Sequence, residues 1–121
     1  MIALVALLFV TTGCSSGERP DTATWLRSWQ SINAVIPDQS DLGNPPQESL
    51  CQTTLGTIRE RSEELFPTPS RTVDDLVNEW VAIAQAAFFE CPPEGEDIDS
   101  FDDAYREMLR VEDSVTSALA D

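Results

Sequence analysis

The chain contains no histidine and no lysine. Nucleophilic triads depend on a base of one of those two types, so hydrolases of that kind are excluded. A zinc site needs cysteine or histidine ligands in number, and this chain offers three cysteines only. Its five glycines form no phosphate-cradling loop. No cofactor is expected from these residues, and no enzymatic activity.

Positive charge is scarce as well. All seven basic residues are arginines (Arg19, Arg27, Arg59, Arg61, Arg71, Arg106 and Arg110), against 22 acidic ones, for a net charge of −15. A nucleic-acid binder must neutralise phosphates with Lys and Arg, so no nucleic-acid partner is expected. Docking of the folded surface on anionic lipid is disfavoured for the same reason. The balance suits solubility, cations or a basic partner protein. A chain of 121 residues has room for one domain.

Only one long apolar run exists. Residues 2–10 read IALVALLFV. That is too short to span a bilayer, which takes roughly 20 residues. It has the length of the apolar core of a secretory signal, about 7–15 residues. Thr11-Thr12-Gly13-Cys14 follows at once, then Ser15-Ser16-Gly17. This stretch resembles the signals of bacterial lipoproteins, which end in an aliphatic residue, a small residue, Gly or Ala, and the cysteine that is acylated. Thr11 stands where leucine is usual. The resemblance implies a signal peptide at 1–13, lipid on Cys14, and an extracytoplasmic protein anchored to the bacterial cell membrane. It covers about the first 17 residues and carries nothing about the rest. No Lys or Arg precedes Cys14, so the signal is expected to begin upstream of Met1.

An odd number of cysteines in an exported protein needs an explanation. With Cys14 lipidated, Cys51 and Cys91 remain as a pair. Residues 14–21 form a small, polar tether, and its last seven residues reach at most about 25 Å. Residues 22–121 then form the acidic domain.

Four segments of that domain show helical periodicity, and none alternates as a strand would. The first covers 22–36, with Trp25, Trp29, Ile32 and Ile36 on one face, and Pro37 ends it. Residues 37–44 read as a polar loop. The second helix covers 45–65, capped by Asn44, with Cys51, Leu55, Ile58 and Leu65 in a thin stripe. Pro67 and Pro69 close it. The third covers 73–91, capped by Thr72 with Asp75 as capping-box partner. Its face is wide: Val73, Leu76, Val77, Trp80, Ile83, Ala84, Ala87, Phe88 and Cys91. The fourth covers 101–119, capped by Ser100, with Phe101, Ala104, Tyr105, Met108, Val111, Val115 and Ala118 aligned. The expected fold is all-α, a small antiparallel bundle of about four helices.

The short link between the second and third helices makes them antiparallel neighbours. Cys51 then lies about 22 Å, and Cys91 about 28 Å, from their common turn. The levels agree within about one helical turn, so a disulfide between these two helices is expected.

Carboxylates are the chemistry that remains. Asp74-Asp75 and Asp102-Asp103 fall in first turns, where the helix dipole favours acid, and Glu63-Glu64 is a third pair. The densest acidic stretch includes Asp97, Asp99, Asp102 and Asp103, the one place where a cation could bind. It lacks a calcium-loop register: counted from Asp97, position six is Asp102 rather than glycine and position twelve is Met108 rather than glutamate. Trp25 and Trp29, one turn apart near the tether, could face the membrane interface, a partner, or the core, of which the core is the commonest use.

The functional expectation is a membrane-anchored, non-enzymatic module that meets a basic or envelope protein. A small-ligand or cation binder is the alternative.

Overall fold

A computed structural model of the chain describes residues 18–43, 45–91 and 98–120. The expected signal, Cys14, the start of the tether, Asn44 and Asp97 lie outside the described residues. Four long helices make an all-α antiparallel bundle, and among the described residues there is no strand.

Helix α1, Thr22–Ala34, starts where the extended Asp21 accepts a hydrogen bond from the Thr24 N–H at 2.8 Å. It stops two residues before the expected Ile36. The Val35 N–H turns back to the Ile32 carbonyl at 3.2 Å, and Pro37 disfavours a helical Ile36. Residues 37–44 are not a plain loop. Gln39–Leu42 makes one helical turn, which plants Leu42 fully in the core. Gly43 ends that turn at a φ of +101°, a conformation that favours glycine.

Helix α2, Glu48–Arg61, begins three residues later than expected, behind Gln47, whose side chain makes no cap bond. The chain then tightens into a 3-10 turn, Ser62–Leu65. Cys51, Leu55, Ile58 and Leu65 are buried as their spacing predicts.

Helix α3, Arg71–Phe89, is capped by Ser70, not Thr72: the Ser70 hydroxyl accepts from the Val73 N–H at 3.2 Å. Thr72 is already inside the first turn. Its expected partner Asp75 is displaced by Asp74, which reaches back to the Thr68 N–H. Val73, Val77, Trp80, Ala84, Ala87 and Phe88 form the buried face.

Helix α4, Ile98–Ala120, starts three residues ahead of Phe101. Ser100 therefore lies within the first turn and is no cap. Asp99 also falls there, where the dipole favours it. Phe101, Tyr105, Met108, Val111 and Val115 point inward.

Long-range contacts fix the directions. Trp25 Nε1 donates to the Leu65 carbonyl at 2.7 Å and Arg61 donates to Ser31 Oγ at 2.6 Å, so α1 and α2 are antiparallel. Trp80 Nε1 donates to Glu112 at 3.2 Å, setting α3 against α4, which is the most extensive pairing. Tyr105 O–H donates to the Pro37 carbonyl at 2.7 Å, tying α4 to the end of α1. The bundle thus has two poles. One holds Arg19, the start of α1 and the α2–α3 turn. The other holds the end of α1, the Cys51–Cys91 bond and the start of α4.

Cys51 and Cys91 are bonded, with Cα atoms 5.6 Å apart. The bond does not join two helices, however. Cys91 sits two residues past the end of α3, in the link to α4. The Glu90 N–H closes the helix on the Ala86 and Phe88 carbonyls, and Pro92 bars Cys91 from helical geometry.

Candidate functional site

Trp25 and Trp29 are 3% and 5% exposed, so they are core residues and offer no surface to a partner or a membrane. Their rings stack at 5.5 Å, and Trp29 meets Trp80 edge-on at 5.0 Å. The amphipathic spacing of α1 requires this: Trp25, Trp29 and Ile32 share one face, and that face packs inward.

Among the described residues the acidic side chains do not assemble. Asp99 and Asp103 are exposed on α4. Asp103 pairs with Arg106 at 3.3 Å, and Asp102 accepts from the Gln39 side chain. Helix α4 takes up residues expected to be a loop, and these carboxylates are drawn to separate partners along its first turns. Among the described residues no group of acidic or cysteine side chains is arranged to hold a metal ion.

Three features lay outside the sequence expectations. The first is a clamp at the α2–α3 turn. Arg19 donates to the Thr68 carbonyl at 3.0 Å and pairs with Asp74 at 2.9 Å. Asp74 also accepts from the buried Thr68 hydroxyl at 2.7 Å and from its N–H at 3.2 Å. The Arg19 guanidinium, with help from Thr68, holds the Asp74 carboxyl below its ordinary value of 3.8. A carboxyl with a depressed folded pKa stabilises above its unfolded pKa and loses that contribution as pH falls through the folded one. Asp74→Ala should therefore lower stability by about 2 kcal/mol at pH 7, a charged hydrogen-bond loss. Urea unfolding at pH 7 and again near pH 2 checks this; the difference should shrink in acid.

The second is Glu112, half-buried on α4 and accepting from Trp80. Burial raises its pKa above the ordinary 4.5, against the lowering effect of the Trp80 N–H. Its signal was present in the sequence: Glu112 stands four residues after Met108 and three before Val115, on the apolar stripe. The sign is opposite to that of Asp74. With a raised folded pKa, the folded state binds the proton more tightly, so ionisation costs stability once pH rises above 4.5. Glu112→Gln keeps an oxygen for Trp80 and removes the charge. Thermal melts should show a Tm a few degrees higher at pH 7, with no gain below pH 4.5.

The third is an open groove of about 790 Å³ at the disulfide pole, between α2, the end of α3 and the start of α4. Leu55, Phe88, Phe89 and Phe101 line it, with Arg59 and Glu48 among its polar groups. Phe89 is 69% exposed, and the Arg59 guanidinium lies 6.0 Å from its ring centroid. The neighbouring Tyr105 hydroxyl is pushed up to about 12, by burial first and then by nearby carboxylates, and stays a donor to Pro37.

Among the described residues, no helix is long and apolar enough to cross a membrane. No family model matches the chain, and no curated protein or solved structure matches it.

Proposed function

We propose that the chain is an exported lipoprotein, anchored by lipid on Cys14, whose acidic helical domain is a non-enzymatic interaction module of the cell envelope. The observation that carries this reading is the pairing of Cys51 with Cys91. Disulfides persist in oxidising compartments, outside the cytoplasm. The pairing leaves Cys14 as the odd cysteine, four residues past the end of the apolar run and next to Gly13. The net charge of −15 points to a basic partner protein.

Two outcomes follow. Metabolic labelling with a radiolabelled fatty acid should mark the wild-type protein and not Cys14→Ser; equal labelling of the two, or labelling of neither, contradicts lipid on Cys14. Cross-linking in intact cells should join the anchored protein to a basic envelope protein, and repeated absence of any adduct contradicts the interaction role.

The groove at the disulfide pole favours a second reading, a binder of small apolar ligands. Its lining of Leu55, Phe88, Phe89 and Phe101 is the observation behind it. Calorimetry with apolar ligands separates the two readings.

A further inference from the structure

We infer that the anchored bundle cannot turn over on the membrane: the pole built from Arg19, Thr68 and Asp74 stays within about 18 Å of the lipid surface, and the disulfide pole cannot be set on the bilayer beneath it. This rests on Cys14 being the lipid anchor, and it adds which end of the domain is held near the bilayer.

Arg19 is bound to the domain at two points, the Thr68 carbonyl and the Asp74 carboxylate. Pro20 follows with a fixed φ, and Asp21 caps α1 through the Thr24 N–H. The chain therefore joins the domain at Arg19, not at Thr22. Arg19 lies five residues after Cys14, a span of at most about 18 Å. The bundle is taller than that: the 19 residues of α3 alone rise about 28 Å from this pole to the other. To lay the disulfide pole on the bilayer, the Arg19 pole would have to stand about 28 Å above it. The anchor cannot reach so far while Arg19 is bound.

Releasing Arg19 changes the comparison. The free chain would then run to Thr22, eight residues and at most about 28 Å, equal to the height of the bundle. The Arg19–Asp74 pair is thus the element that prevents turnover. The groove beside Phe89 lies at the far pole.

Two exposed positions report on the poles: Glu64 in the 3-10 turn and Ser100 at the start of α4. Full-length protein carrying Glu64→Cys or Ser100→Cys would be membrane-extracted, labelled with a donor dye and placed in phosphatidylcholine vesicles with an acceptor on the headgroups. The new thiol is the reactive one, since Cys14 is alkylated and Cys51 is paired with Cys91. Energy transfer from position 64 should match or exceed that from position 100. Adding Arg19→Ala should raise transfer from position 100 relative to position 64. Stronger transfer from position 100 than from position 64, in protein with Arg19 intact whose mass shows acylation, overturns the bar to turnover while leaving the anchor intact. A mass showing unmodified Cys14 overturns both together.

Discussion

Reduction of the Cys51–Cys91 bond will lower the unfolding free energy of the domain by about 4 kcal/mol, the chain-entropy value for a loop of this length. The two cysteines are 40 residues apart, and the loop between them contains most of α2 and all of α3. Open, the unfolded chain gains the conformations that the bond forbids. The folded state changes little, because Cys51 and Cys91 already sit in the core among apolar neighbours. Domains of this size have about 5–15 kcal/mol in total, so a large share of stability is at stake. Urea unfolding with and without reductant measures the effect. An unchanged midpoint would contradict the argument. The same effect gives the compartment a role: in a reducing cytoplasm the domain would be marginal, and in an oxidising envelope it is secure.

Trp80→Ala should cost about 3–5 kcal/mol, the range for emptying a large buried site. Trp80 is fully buried and central to both halves of the core. It meets Trp29 of α1 edge-on at 5.0 Å and gives its N–H to Glu112 of α4. Truncation removes the ring contact and leaves a half-buried carboxylate without its donor, so two losses add at one position. Phe89→Ala is the matched control. It removes an aromatic ring that is largely exposed, and surface changes of that kind stay within about 0.5 kcal/mol. Chemical denaturation of the two variants side by side should separate them by several kcal/mol. Equal midpoints would mean that the three tryptophans do not form one core.

The fold was legible because its helices carry period-3.6 stripes. Trp25, Trp29 and Ile32 face inward as their spacing requires, and so do Phe101, Tyr105, Met108, Val111 and Val115. The antiparallel order followed from a short α2–α3 link and two cysteines at matching heights. Helix ends were less legible, because an end depends on which of several polar residues wins the first N–H groups. Ser70 wins over Thr72 because Thr68 and Asp74 tie the preceding turn into place. Periodicity alone puts Cys91 on its helix, and the pull of Pro92 on the preceding residue leaves it just outside. Leu42 lay hidden in a polar stretch, one apolar residue having no period of its own.

The site features divide differently. Glu112 could have been found, since it interrupts an apolar stripe at stripe spacing. The Arg19–Asp74 pair could not: its partners are 55 residues apart and each is ordinary in its own neighbourhood. Trp25 and Trp29 left three destinations open in the sequence, and only the packing of α1 against the α2–α3 hairpin sends them to the core. The acidic residues from Asp99 onward crowd in sequence and share a helix face at i, i+3 and i+4 spacing, but Asp103 turns to Arg106 and Asp102 to Gln39 instead of to a common point.

If Cys14 bears lipid, Cys51 and Cys91 are left to form the bond. Intact mass of protein extracted from membranes tests both statements at once. The expected result is a chain that begins at Cys14, carries acyl chains there, and takes up no alkylating reagent until Cys51 and Cys91 are reduced. A chain that retains residues ahead of an unmodified Cys14, or that is alkylated at Cys51 and Cys91 without reduction, contradicts it.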